Sequence, residues 1–240
     1  MSDLAGMAAL VSGGGTGIGL ACARALREAG AHVTVLGRRE APLRAAVAAG
    51  FADEALVGDA AQPPALPPVQ ILINAAGSAE SAPFLKQDDA AFRRAHEANV
   101  MTAVALTRAA LPAMLQARFG RVVNVASTAA LKPYAYVSAY VSAKHALLGF
   151  TKTLALEVAA KGVTVNAVCP GFTETPLLEA SVANIVAKTG RSPEEARAEL
   201  ARGNPQGRLV TPEEVAEAVL YLVRAPGVNG AALPVAGGEV

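Results

Sequence analysis

Short, wholly apolar runs alternate with segments of helical periodicity, and this alternation constrains the fold more than anything else in the chain. Ala8–Ser12, His32–Leu36, Ile71–Asn74, the RVVNVAS run after Gly120, Thr164–Cys169 and Ala232–Val235 read as strands, with Glu54–Gly58 a weaker one. Gly17–Ala29, Pro42–Ala49, Asp88–Glu97, Val100–Ala117 and Tyr136–Ala160 read as helices. Thr211 caps a further helix, with Pro212 at its first position and acids behind it. A strand that is apolar on both faces needs cover on both, so the pattern predicts an α/β fold with a parallel sheet between two helical layers. No repeat or linker interrupts the 240 residues, so one domain is expected over 1–240. Two stretches depart from the rhythm. Pro63, Pro64, Pro67 and Pro68 forbid a regular helix in Ala60–Gln70, so that crossover should be a loop. Pro176–Pro205 looks like an excursion of short helices.

Charge and composition narrow the function. With 21 basic and 20 acidic residues the chain builds no field for nucleic acid or an anionic membrane. Hydrophobic residues are 52%, enough for a large core, yet no run of about 18 apolar residues suggests a membrane span. No basic region followed by a long apolar stretch opens the chain, so no signal peptide is expected. Cys22 and Cys169 lack redox or metal spacing and read as buried, reduced thiols of a cytoplasmic protein. His32, His96 and His145 likewise show no metal spacing and read as structural.

Chemistry concentrates where strands should end. Ser12, Gly13, Gly14, Gly15, Thr16, Gly17, Ile18 and Gly19 follow the first strand and open a helix. Glycines let backbone approach a pyrophosphate, and the helix N-terminus offers unpaired amides. The second strand ends in Gly37, Arg38 and Arg39, with no carboxylate for ribose hydroxyls. Two guanidiniums there suit a 2′-phosphate, so NADP is expected over NAD, although solvated arginines would still permit NAD. Asp59, with Ala60 beside it, follows the third strand, as an acceptor for an adenine amino group or as a turn cap. Asn74, Ala75, Ala76 and Gly77 follow the fourth and leave room for a nucleoside.

Ser127, Tyr140 and Lys144 are the strongest set. Ser127 ends an apolar strand, and Tyr140 and Lys144, four apart, share a helix face. A free tyrosine titrates near pH 10, and an adjacent ammonium favours the phenolate. A phenol, an amine and a hydroxyl suit proton transfer to or from an alcohol. Asn99, in an apolar helical context, must bond something: a backbone group at a kink, or a water beside Lys144. Ser142 lacks the glycines of a nucleophile elbow.

SGGGTGIG, NAAG, Asn99, Ser127, Tyr140-Val141-Ser142-Ala143-Lys144 and Pro170-Gly171 together resemble the short-chain dehydrogenase/reductase family, in order and over essentially the whole chain. The resemblance implies a Rossmann-type, doubly wound, seven-stranded parallel sheet and NAD(P)-dependent oxidoreduction of a carbonyl or secondary alcohol. It casts Tyr140 as general acid/base, Ser127 as holder of the carbonyl oxygen, Lys144 as ligand of the nicotinamide ribose and Asn99 as anchor of a relay water. Phe172 backbone and the Thr175 hydroxyl, after Pro170 and Gly171, become candidates to hold the carboxamide. It also implies a homotetramer or homodimer paired through the helices at Val100–Ala117 and Tyr136–Ala160. VNAVCPGFTETPLLEASV resembles 3-oxoacyl thioester reductases, polyketide ketoreductases and 3-hydroxybutyrate dehydrogenases, which points to a 3-oxoacyl or 3-hydroxyacyl substrate. The pocket is then expected from Thr128–Tyr136 and the 176–205 excursion. Arg191, Arg197 and Arg202 could meet a carrier phosphate or form a solvated helix face. An NAD-dependent secondary-alcohol or 3-hydroxy acid dehydrogenase is the alternative within the class. A non-catalytic NADP sensor or scaffold is the alternative outside it, which loss of the tyrosine or lysine would have favoured.

Overall fold

The computed structural model describes residues 3–240. Seven parallel strands form one sheet: β1 (Ala8–Ser12), β2 (His32–Gly37), β3 (Glu54–Val57), β4 (Ile71–Asn74), β5 (Gly120–Val125), β6 (Val163–Pro170) and β7 (Ala232–Val235), in the order β3-β2-β1-β4-β5-β6-β7. The eight α-helices among the described residues are α1 (Gly17–Glu28), α2 (Glu40–Ala48), α3 (Asp89–His96), α4 (Thr102–Ala117), α5 (Ser138–Val158), α6 (Pro176–Thr189), α7 (Pro193–Ala201) and α8 (Pro212–Arg224). The order reverses between β1 and β4, so the crevice at their carboxyl ends is where this topology places ligands. One apolar layer joins β1, β2 and β4 to α1 and α8 through Val11, Val33, Ile73, Leu26 and Val219. Leu10, Leu72, Leu106, Met114 and Val165 belong to the layer on the other face.

The proline-rich crossover contains no regular element, as its prolines dictate. It still covers the sheet, because Val69 is buried and Leu66 packs against the layer of Leu10 and Leu36. A Cβ on Gly58 would lie 2.9 Å from Pro64, so that glycine lets the loop close down.

Several boundaries differ from expectation by one or two residues. The helix expected over Tyr136–Ala160 begins at Ser138, because Tyr136 adopts φ +68. Gln87 caps the new start, its Oε1 accepting from Ala139 N and Ser138 Oγ at 3.2 Å. The helix expected to open at Pro42 starts at Glu40. The break expected near Asn99 is a π-helical turn, Glu97–Met101, which joins α3 and α4 into one run, Asp89–Ala117. By length and composition that run could cross a membrane, although it contains no unbroken apolar stretch; 44% of its most apolar window is buried within the chain.

A buried polar chain ties the centre of the sheet to its helices. Asn124 on β5 accepts from Asn74 Nδ2 on β4 at 2.8 Å and donates to Thr151 Oγ1 on α5 at 2.8 Å. Thr151 in turn donates to the Leu147 carbonyl, and Asn74 also donates to Thr107 on α4. Asn124 is wholly buried, so Asn124→Ala would strand its partners without water. The expected cost is about 2 kcal/mol, read as a lower urea midpoint at unchanged slope.

Candidate active site

The glycine loop is built for close approach. A Cβ on Gly19 would fall 2.3 Å from the Gly13 carbonyl, and one on Gly13 3.0 Å from the Ala75 carbonyl. Thr16 precedes α1 without a side-chain cap, so the amides of the first turn are left to a ligand. Ser12 lies below the cleft, where its Oγ accepts from Ala75 N and Ala76 N at 3.1 and 3.2 Å and fixes the turn after β4.

A cleft of about 610 Å³ runs over these ends. Gly13, Gly15, Thr16, Gly17, Ile18 and Gly19 floor one part of it. Arg38, Arg39, Asp59 and Ala60 bound the far end, and Ala75, Ala76, Gly77 and Thr175 the near end. Both arginines are exposed, and neither forms an ion pair among the described residues, so two guanidiniums remain for a ligand. Asp59 Oδ1 accepts from Ala61 N at 3.0 Å, which is the turn cap foreseen as its plainer role.

Several of the expected residues also make bonds within the fold. The Asn74 side chain points into the helix layer, toward Asn124 and Thr107, because a buried amide must find partners. Thr175 caps α6, accepting from Leu178 N, while facing the cleft. Pro170 is buried as the last residue of β6, and Gly171 donates its amide to the Val235 carbonyl. Phe172 turns its ring edge-on to Tyr134, centroids 6.1 Å apart, and its carbonyl accepts from Val210 N. Arg197 pairs with Glu179, and Arg191 and Arg202 with Glu199, as a solvated helix face would.

Ser127, Tyr140, Lys144 and Asn99 converge beside the near end. Lys144 is 4% exposed and donates to the Val125 carbonyl at 2.9 Å. Its Nζ stands 5.6 Å from the centre of the Tyr140 ring. Burial lowers the lysine to about 8. Burial raises the Tyr140 phenol above its ordinary value, and the neighbouring Ser127 hydroxyl works against that rise. In the chain alone burial outweighs the Ser127 bond, so the phenol is raised, while Lys144 stands over the ring face and bonds a backbone carbonyl.

Asn99 makes the backbone bonds considered as its plainer role. Its Nδ2 donates to the Ser78 and Ala95 carbonyls at 2.8 and 2.9 Å, holding the π-helical turn. Its Oδ1 is buried without a partner. A Cβ on Gly77 would lie 2.7 Å from that oxygen and 3.7 Å from Lys144 Nζ, so only glycine leaves a small polar space between them.

Sequence reasoning missed two polar residues that frame this site. Gln87 sets where α5 starts and so the height of Tyr140 and Lys144. Glu239, next to last in the chain, bonds Tyr134 and Lys132. Neither belongs to a motif, and both act across long sequence separations.

Burial of Lys144 has a consequence for stability. Its folded value of about 8 lies below the ~10.4 of a free lysine, so between these values the unfolded chain binds a proton that the folded chain lacks, and below pH 8 the folded chain carries the full cost of the buried ammonium. Stability should rise with pH between these values. Lys144→Met should raise the urea midpoint at pH 7, and its advantage should shrink toward pH ~10.4.

The family model described as short chain dehydrogenase matches residues 7–185. The chain is 37% identical over 235 residues to a D-beta-hydroxybutyrate dehydrogenase of Cupriavidus necator, covering 91% of each protein. Its structure is similar to that of an actinorhodin polyketide ketoreductase variant solved with NADPH, at TM-score 0.92 and 35% identity, covering 100% of this chain and 99% of that one. It is also similar to L-sorbose reductase from Gluconobacter frateurii, solved with NADPH and L-sorbose, at TM-score 0.91 and 28% identity over 99% and 98% of the two chains.

Proposed function

The chain belongs to the short chain dehydrogenase family of oxidoreductases, and from that premise we propose that it reduces the keto group of a 3-oxoacyl compound with NADPH. The observation that carries this reading is the convergence of Ser127, Tyr140, Lys144 and the unpartnered Asn99 Oδ1 at the near end of a glycine-lined cleft. The cradle fits a dinucleotide: a glycine loop without room for side chains, an uncapped helix start and two arginines without an ion pair among the described residues. Bound there, the nicotinamide supplies or accepts the hydride.

The chain's own residues handle the oxygen and its proton. The Ser127 hydroxyl and the Tyr140 phenol both donate to the substrate carbonyl oxygen and stabilise the charge that grows on it. Tyr140 then transfers its proton to that oxygen. Its raised value keeps it protonated at neutral pH, the form that reduction requires. Lys144 offers its remaining protons to the ribose and to a water accepted by Asn99 Oδ1, through which Tyr140 is reprotonated. Asp59, Ala60 and the turn Ala75–Gly77 would bound the nucleoside, and Thr175, which lines the same cleft, would hold the carboxamide. Residues 128–136 and the 176–205 excursion supply the substrate walls.

The likeness to a hydroxybutyrate dehydrogenase favours one second reading, NAD-dependent oxidation of a 3-hydroxy acid at the same residues. A homotetramer or homodimer through α4 and α5 suits the exposed Leu156 and the incompletely buried run Asp89–Ala117. A cytoplasmic setting suits the two buried free thiols.

Tyr140→Phe should cut turnover by about 10²–10⁴-fold and leave NADPH affinity within about twofold. Near-normal turnover would reject the assignment. Titration of the wild type should show NADPH binding about tenfold or more tighter than NADH, a difference that Arg38→Ala erodes. A tenfold preference for NADH would reject NADP.

A further inference from the structure

Glu239 is a buried carboxylate that the mechanism does not use, its side chain only 3% exposed. Its Oε1 accepts from the Tyr134 hydroxyl at 2.5 Å and pairs with Lys132 Nζ at 3.0 Å. Lys132 also donates to the Glu239 backbone carbonyl at 3.4 Å, and its ammonium stands 5.1 Å from the centre of the Tyr134 ring. The carboxylate sits in a notch between glycines: a Cβ on Gly171 would lie 3.0 Å from Oε2, and one on Gly203 3.5 Å from Oε1.

Proton accounting gives this cluster a direction. A carboxylate paired with an ammonium only accepts, so the single phenolic proton of Tyr134 is committed to Glu239. The 2.6 Å contact between Thr128 and Tyr134 then runs from the Thr128 hydroxyl to the phenolic oxygen. Burial, and then the bond to Glu239, raise the Tyr134 phenol beyond its ordinary range, so it keeps that proton. Thr128, Lys132 and Tyr134 lie in the segment that follows Ser127, and the Tyr134 phenol lies within electrostatic reach of Tyr140. The ring of Tyr134 meets that of Phe172 nearly perpendicular, at 80°. One residue from the end of the chain thus ties together the turn after β5, the turn after β6 and the segment after α7.

We propose that Glu239 is a positioning residue that sets substrate class: it spends the protons of Tyr134 and Thr128 and the charge of Lys132 internally, so the wall beside Tyr140 offers aromatic surface and takes an uncharged acyl ester or thioester in preference to a free carboxylate. The proposal rests on the oxidoreductase reading above and decides between its two substrate types.

The probes are ethyl acetoacetate and acetoacetate, each reduced with NADPH. The wild type should favour the ester in kcat/KM by about tenfold or more. Glu239→Ala frees the Lys132 ammonium and the Tyr134 proton, and should cut that preference about tenfold, mainly through a lower KM for acetoacetate, with NADPH affinity within about twofold. Glu239→Ala combined with Lys132→Met should restore the ester preference, which a merely structural role would not do. An unchanged ratio in Glu239→Ala, no restoration in the double variant, or a wild type that favours acetoacetate overturns the proposal. Hydrogen exchange separates it from the functional reading. Amides of 128–136 should exchange about tenfold faster in Glu239→Ala, while those of 13–19 stay unchanged. A flat response there overturns the clasp whatever the kinetics show. Turnover of neither probe, with the exchange response present, sinks the substrate reading and leaves the clasp standing.

Discussion

A parallel sheet has both faces under helices, and every crossover returns the chain to the same end, so the carboxyl ends of its strands form one shared edge. Nearly everything chemical in this chain lies along that edge. Ser12, Gly37, Asp59, Gly77, Ser127 and Gly171 each stand at or just past the end of a different strand. Their proximity follows from strand order, not from any attraction between them. The reversal between β1 and β4 parts the helices there and leaves the cleft open.

Close approach at that edge is purchased with missing side chains. Gly19 lets the loop pack on Gly13, and Gly77 brings Asn99 Oδ1 and Lys144 Nζ to one small space. The same economy recurs at Gly171, where Glu239 takes the room that a Cβ would occupy. At Gly77 and Gly171 a polar side chain fills the space that glycine opens. At Asn99 that group has an unpartnered acceptor, whereas at Glu239 the carboxylate meets Tyr134 and Lys132. The first arrangement leaves capacity for chemistry, and the second removes it.

Stability and function pull against one another at Lys144. An ammonium buried on one backbone carbonyl carries a desolvation cost that an apolar side chain would avoid. The fold bears that cost because Asn124, Asn74, Thr107 and Thr151 tie β4, β5, α4 and α5 into one rigid unit beneath it. Gln87 adds a cap from outside the unit and fixes the first turn of α5. Tyr140 and Lys144 are therefore held by partners that never touch the reacting atoms.

The sequence by itself determined the strands, the parallel sheet, the glycine loop and the Ser127–Tyr140–Lys144 set. Each of these is local: apolar runs, glycine spacing and a four-residue helical interval act within a few residues of themselves. The helix boundary at Ser138 lay outside that reach, since it depends on Gln87, about 50 residues away in sequence, and on the positive φ of Tyr136. The same holds for the inward turn of Asn74, the burial that raises the Tyr140 phenol, and the seat of Glu239. Only tertiary structure decided these, because burial and long-range hydrogen bonds exist only once the sheet has brought distant segments to one edge. A polar side chain carries no mark in the sequence of which distant partner will satisfy it.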